Sequence, residues 1–277
     1  SWIHMNEIED ATRKAKDLVK MAVSKAVLLN PLKRVEIPVI QKALVIGGGI
    51  AGMTASMSLA RQGFEAYLVE KEPDLGGHLK HIFYTAEGRN VEKFMKDMID
   101  EVTRNDKIHV FTGASIVSIG GFVGNYVTEI ALADSAHTRF EHGIIIVATG
   151  ASEHRPVDYL FGKDRRIITQ QDLESMIHDP EAKQDLETAG SVVMIQCVGS
   201  RDEGHPYCSR ICCSQAVKNV LRLYEVSPRV NVYVLYRDVR TYGFHEDLYR
   251  KARQAGAVFI RYEDEKPEVT KNGDRLS

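Results

Sequence analysis

Residues 42–52 read Lys42-Ala43-Leu44-Val45-Ile46-Gly47-Gly48-Gly49-Ile50-Ala51-Gly52. An apolar run of strand length passes into G-x-G-x-x-G, and Met53 to Gln62 continues in a helical pattern. Glu65 to Glu70 then reads as a second strand. Strand, tight turn, helix and strand form a βαβ unit of the ~30 residues such a crossover needs. Gly47 suits the tight turn, Gly49 lets backbone approach a pyrophosphate, and Gly52 lets the helix lie close on the strand. Around Ile50 and Ala51 the first helical turn offers unpaired N–H groups and a positive dipole end to phosphate. Glu70, 23 residues after Gly47, is placed to accept from a ribose diol. It would repel a 2′-phosphate, which disfavours NADP. The competing reading is a bare strand–helix turn; the strand, helix and acid together count against it. The motif by itself does not choose FAD over NAD.

Working outward, the chain alternates. Val91 to Val102 reads as a helix, and short strands follow from Ile108 to Ala148, with Gly120-Gly121 and Gly124-Asn125 as turns. Gly143 to Ala148 is the all-apolar kind of strand that a parallel sheet buries on both faces. A polar crossover, Ala151 to Arg166, leads to a helical stretch, Asp172 to Gly190. Then come strand Ser191–Gln196, helix Ser209–Glu225, strand Val230–Tyr236, helix Glu246–Gln254 and strand Val258–Arg261. The fold class is α/β with mainly parallel sheet. Before it, Glu7 to Leu29 forms an amphipathic helix stopped by Asn30-Pro31, with Lys33 to Pro38 as connector. It reads as an arm rather than a core element. The expected division is 1–36 (helix and linker), 37–150 (first Rossmann-like domain) and 151–277 (second, truncated). Ser1 without methionine, and an end at Ser277 after Lys271-Asn272-Gly273-Asp274, read as cuts within a longer protein.

The 277 residues are 44% hydrophobic and 27% charged, with a net charge of -2. That composition supports a real core and excludes wholesale disorder. It supplies no basic excess for nucleic acid or an anionic membrane surface. No apolar run is long enough for a bilayer, and the N-terminus lacks a signal-peptide core, so a cytoplasmic location is expected. H-E-x-x-H, a nucleophile elbow and a Walker loop are all missing from the sequence.

All four cysteines, Cys197, Cys208, Cys212 and Cys213, fall within 17 residues. Such clustering reads as a metal or redox site rather than a disulfide framework. With Cys208 and Cys212 at i and i+4, a helix would put them on one face. Cys197 at a strand end could converge on them, and Cys213 lies about 100° further round. Four thiolates suit an Fe–S cluster or an all-cysteine zinc site. Zinc usually shows two short knuckles, which this spacing lacks, and a redox disulfide would favour C-x-x-C. Inert buried thiols are the remaining reading. His205 beside Pro206 reads as a loop residue. Arg201, Arg210, Arg237 and Arg240 suit either an anionic centre or an ordinary surface.

Glu70-Lys71-Glu72, Leu75-Gly76-Gly77-His78 and the stretch Gly143 to Gly150 together resemble the two-dinucleotide-domain flavoproteins of the thioredoxin and glutathione reductase-like group. The resemblance implies two Rossmann-like FAD/NAD(P)-binding units. FAD would be lined by Gly47, Gly49, Gly52, Glu70, Lys71, Gly77, His78, Ala148, Thr149 and Gly150, with adenine contacted by the backbone of Ser115 and Ile116. In that group the second unit repeats the glycine fingerprint; here the matching strand runs into Cys197-Val198-Gly199-Ser200-Arg201-Asp202. The stretches Gln196 to Asp202, Tyr207-Cys208-Ser209-Arg210-Ile211-Cys212-Cys213 and Arg240-Thr241-Tyr242-Gly243-Phe244 resemble the A subunit of heterodisulfide reductase and the flavin subunit of quinone-interacting oxidoreductases. So does the opening Ser1-Trp2-Ile3-His4 with Ala11 to Val19.

That resemblance implies a subunit of an oxidoreductase that works on sulfur groups, with FAD and a [4Fe–4S] cluster ligated by Cys197, Cys208, Cys212 and Cys213. Its partners would be other subunits of the complex and an electron-donor module, and several members are held to bifurcate electrons at the flavin. A homodimer is left open. The chain departs from the pattern in lacking a C-x2-C-x2-C-x3-C-P run and an apolar strand ending in Gly-Asp; Gly273-Asp274 reads as a hairpin turn. Two other functions compete: an FAD/NAD-linked disulfide oxidoreductase, and a non-catalytic dinucleotide-binding assembly module.

Overall fold

The structure, a computed structural model, describes residues 5–31, 36–263 and 265–277. It falls into two compact units, Ser1–Pro38 and Val39–Ser277. In the first, α1 (Ile8–Val27) follows the expected helix closely, and none of its residues is buried. The opening Ser1 to His4 and part of the connector lie outside the described residues. No helix among the described residues is long and apolar enough to cross a membrane.

The second unit opens with β1 (Lys42–Ile46), α2 (Ile50–Arg61) and β2 (Glu65–Val69). A short 3-10 helix (Gly77–His81), α3 (Val91–Arg104) and β3 (Ile108–Phe111) follow. Next come β4 (Ser115–Phe122), β5 (Asn125–Ala131), β6 (His137–His142) and β7 (Ile144–Val147). A parallel sheet runs in the order β3-β2-β1-β7, and β4-β5-β6 form a separate antiparallel sheet. Strand alternation explains the layering. Val45, Ala66 and Leu68 face one way, onto Met53 and Met57 of α2 and Val102 of α3. Leu44 and Val69 face the other way, onto Ile130 of β5 and Phe140 of β6. His142 closes the antiparallel sheet at its end. Its Nδ1 lies 3.0 Å from the Ile144 carbonyl and its Nε2 2.7 Å from Thr128 Oγ1.

One expectation fails here. The apolar strand β7 is not buried on both faces: it is the edge of its sheet, paired to β1 alone among the described strands, and Val147 is 71% exposed. Composition identified a parallel strand but could not say whether a neighbour lay beyond it.

The chain then forms α4 (Gln170–His178), α5 (Lys183–Thr188), β8 (Ser191–Ile195), α6 (Cys212–Val226), β9 (Asn231–Tyr236), α7 (His245–Gln254) and β10 (Val258–Arg261). Strands β10-β9-β8 make a second parallel sheet. Val217, Val220 and Leu223 of α6 pack with Val232 and Val234 of β9 and Met194 of β8. The helix expected from Asp172 to Gly190 is broken in two, because Pro180 cannot continue α4. The helix expected from Ser209 begins only at Cys212, since Arg210 sits at φ +65° and a left-handed residue interrupts helical backbone. A short hairpin, β11 (Lys271–Asn272) with β12 (Arg275–Leu276), turns at Gly273 and Asp274, as read from sequence.

Candidate functional site

The glycine turn after β1 is built by steric demand. Gly47 has φ +107°, and a Cβ there would strike the Ala148 carbonyl at the end of β7. A Cβ on Gly52 would strike the Gly47 carbonyl, so only glycine lets α2 sit this close to β1. Around Gly49, by contrast, a Cβ would meet nothing within 4 Å. Gly49 is the N-cap of α2, no side chain caps that end, and Ile50 is exposed beside it. The first N–H groups of α2 thus have no side-chain cap, and Gly49 bridges the backbone of Gly76 beside them.

The second glycine pair lies against the first. Gly76 N–H donates to the Gly48 carbonyl at 2.9 Å, and a Cβ on Gly77 would sit 3.0 Å from Gly49 Cα. Glu70 is buried just past β2; its Oε2 accepts from Gly48 N–H (2.6 Å) and its Oε1 from Glu72 N–H (2.9 Å). A carboxylate accepts about four hydrogen bonds, so capacity for hydroxyl donors remains. Ala114 N–H donates to the Glu70 carbonyl (2.9 Å), which draws the start of β4, Ser115 and Ile116, toward the end of β2. Ser115 is exposed and Ile116 packs into the core beneath. Thr149 and Gly150 follow the half-buried Ala148 and are exposed at the sheet's end. Lys71 points to solvent near Glu72 (3.7 Å). His78 lies at the surface, and Gln171 Nε2 donates to its Nε2 at 2.8 Å. The structure thus gathers Gly47, Gly49, Gly52, Glu70, Gly77 and Ala148 into one cradle and leaves Lys71 and His78 on its rim.

Gly48 and Gly76 belong to the cradle too, though neither is among the residues expected to line FAD. The signal was present in both: a third glycine inside Gly47-Gly48-Gly49, and a doubled one at Gly76-Gly77.

The cysteine segment begins where β8 ends. Cys197 sits at φ +64° and Gly199 at φ +67°. The His154 ring covers Gly199 so closely that a Cβ there would strike it. Arg237 donates to the Arg201 carbonyl (2.7 Å), and Arg201 N–H donates back to the carbonyls of His205 (2.7 Å) and Tyr207 (3.1 Å). His205 is a loop residue set edge-on to Tyr207. Arg201 lies 2.8 Å and Arg240 3.5 Å from Asp238. Arg210 takes the left-handed turn just before α6.

All four cysteines are free thiols. Cys212 and Cys213 occupy the first turn of α6, and Cys213 lies 3.6 Å from the Asp238 carbonyl. The pair titrates together. A hydrogen bond from Cys213, helped by Ser209, holds the Cys212 thiol down to about 6, and sharing that proton drives Cys213 far up. Burial pushes the Cys197 thiol up, and the nearby Cys212 adds to this while Arg201 opposes it. Cys208 stands apart. It is in the loop before α6, its Sγ accepting from Arg210 N–H (3.3 Å), so the expected i, i+4 helical pairing with Cys212 does not exist. Among the described residues no group of three or more His, Cys, Asp or Glu side chains is placed to hold a metal ion. Cys197, Cys212 and Cys213 influence one another electrostatically, and the four thiols as placed do not form a metal-holding group among the described residues.

An α/β fold with a glycine-turn cradle in its first half and thiols in its second defines a class, and comparison agrees. The profile of the pyridine nucleotide-disulphide oxidoreductases matches residues 41–195, and the chain belongs to that family. Its similarity is more particular than that. It is 31% identical to the A subunit of the H(2):CoB-CoM heterodisulfide,ferredoxin reductase of Methanothermobacter marburgensis, covering 94% of this chain and 53% of the relative. It is 30% identical to the second of the iron-sulfur A subunits of the CoB--CoM heterodisulfide reductase of Methanopyrus kandleri, covering 94% and 54%. The chain spans about half the length of the curated relatives it matches. Among solved structures, thioredoxin reductase from T. acidophilum superposes with a TM-score of 0.52 at 15% identity, covering 85% of this chain and 69% of that one. Lactococcus lactis thioredoxin reductase in its FR conformation also gives 0.52, at 17% identity, over 86% and 73%. These last two show the fold alone.

Proposed function

We propose that this chain is the FAD-binding electron-transfer core of a heterodisulfide reductase-type A subunit. The observation that carries this is the cradle: open space over Gly49 and the uncapped start of α2, flanked by Gly77 and closed behind by Glu70. A pyrophosphate fits where a side chain is missing and N–H donors converge. In this reading Gly49, Ile50, Ala51 and Gly52 hold the pyrophosphate and Glu70 the adenosine ribose. Gly77, His78, Ala148, Thr149 and Gly150 flank the flavin side, and Lys71, Ser115 and Ile116 the adenine side. When bound, a flavin supplies one- and two-electron exchange. The chain's own residues bind, orient and shield it, and none is assigned as acid or base.

Cys197, Cys208, Cys212 and Cys213 are proposed as ligands of a [4Fe–4S] cluster. Four thiols within one short segment and the iron-sulfur name of one relative support this. The four thiols as placed do not form such a group, so assembly of a cluster requires this cysteine segment to rearrange. Other subunits of the complex and an electron-donor module are the proposed partners, the cytoplasm the proposed location, and bifurcation at the flavin a role the same reading leaves for the whole complex. The domain division at 150 belongs to this reading, with residues 37–150 for the flavin and 151–277 for the thiols.

Anaerobic purification followed by flavin, iron and sulfide quantification tests both halves. About one flavin per chain is expected, together with an electron paramagnetic resonance signal on reduction that disappears in Cys197→Ala while the flavin stays. Stoichiometric zinc in a colourless protein would overturn the reading.

A further inference from the structure

Glu174 is wholly buried in α4, and Lys218 is 8% exposed in α6. Lys218 Nζ meets Glu174 Oε2 at 2.7 Å. The second oxygen, Glu174 Oε1, accepts from Phe83 N–H at 3.0 Å, and Lys218 Nζ also donates to the Tyr84 carbonyl at 3.2 Å. The pair is therefore closed on the backbone of a segment from the first half of the fold. That segment is gripped further. The Lys218 ammonium and Arg222 guanidinium, one turn apart on α6, each lie 4.8 Å from the centre of the Tyr84 ring. Tyr84 donates to Asn219 (3.4 Å), Asn219 donates to the Gln170 carbonyl (3.0 Å), and Phe83 stacks on His178. Gly88, in the turn that follows, leaves room for Arg222 where a Cβ would strike it.

An ion pair this deep is a poor source of stability, since desolvation offsets its attraction and apolar replacements are often neutral. Its contribution is a unique arrangement, because both charges need these particular backbone partners. The placement is informative: α6 starts with Cys212 and Cys213, and Phe83 lies just beyond the Gly77–His81 turn of the cradle. We propose that Glu174 and Lys218, closed on the Phe83–Tyr84 backbone, are positioning residues that hold the cysteine-bearing end of α6 at a fixed separation from the dinucleotide cradle. Its consequence for electron transfer rests on the function proposed above; the coupling of the two halves does not.

The test is thermal unfolding of the full chain, followed by calorimetry, by flavin release (first half) and by thiol exposure to a chromogenic disulfide (second half). In the wild type the three signals melt together. In Glu174→Met/Lys218→Met, which keeps volume and removes both charges, flavin content is unchanged, while flavin release and thiol exposure separate by about 5 °C or more. The charge-reversed Glu174→Lys/Lys218→Glu does not rejoin them, because a lysine at 174 cannot accept from Phe83 N–H. Coincident melting of the double-methionine variant at a lower temperature would reduce the pair to ordinary stability and overturn the proposal, as would rescue by charge reversal. Should the double variant not fold, Glu174→Gln, which keeps the volume and removes the ion pair, is read in the same way. If the wild type carries no flavin, the cradle reading fails separately, and the number of calorimetric transitions decides: one becoming two supports the device, one remaining one sinks it.

Discussion

Gly49 and Gly52 stand three positions apart in one motif and do opposite work. Gly52 is needed by the fold, because a methyl there is driven into the Gly47 carbonyl and α2 must lift from β1. Gly52→Ala is expected to cost about 1–3 kcal/mol, the range for overpacking, in urea unfolding. Gly49 has empty space around it, so Gly49→Ala is expected to unfold like the wild type and yet bind FAD at least about tenfold more weakly, since the methyl occupies the approach of a pyrophosphate. Equal affinities for the two proteins would remove the cradle from the flavin site. These residues were legible in the sequence because each answers a local steric demand at fixed spacing. Glu174 and Lys218 were not, as they meet across 44 positions and through another segment's backbone. Their one local trace is a lysine and an asparagine inside the buried run Ala216 to Val220.

Among elements, strand and helix periods were read well, and breaks in them were not. The split at Pro180 had a visible cause; the late start of α6 had none, because nothing in Arg210 announces a left-handed backbone. That one turn removes Cys208 from the helix and with it the face-sharing argument. β6 is another case in which pairing matters more than period. His142, at its end, lies buried between Thr128 and the Ile144 carbonyl, and so ties the antiparallel sheet to β7. The carbonyl requires the proton on Nδ1, leaving Nε2 to accept from the threonine hydroxyl. Burial holds its pKa below the ordinary 6.5, with the bond to Ile144 opposing. A depressed folded value means that the unfolded chain binds the proton more tightly. The stabilisation is therefore complete above pH 6.5 and declines as pH falls through that value toward the lower folded one. Melting temperatures measured from about pH 8 down to about 5 should fall more steeply for the wild type than for His142→Gln, which cannot take up that proton; parallel curves would show that His142 is not the group responsible.

At the scale of the molecule the two halves differ in the turn that leaves their first strand. After β1 the chain turns on three glycines and enters α2 at once, with no side-chain cap and with open space over Gly49. After β8 it turns through Cys197, His154 fills the space over Gly199, and α6 begins only at Cys212. A pyrophosphate needs a close backbone and an adjacent helix start, and the second half supplies neither in that place. The family to which the chain belongs is named for pyridine nucleotides, yet this half is built around thiols. On the function proposed above, electrons would reach the flavin from another protein instead of from a nicotinamide bound in the second half. Under anaerobic conditions, NADH and NADPH at millimolar concentration should leave the flavin spectrum oxidised over minutes, while dithionite bleaches it within seconds. Rapid and saturable bleaching by NADH, lost when Gly199 is replaced by Val, would place a nicotinamide seat at the turn that His154 covers and restore the NAD-linked reductase reading.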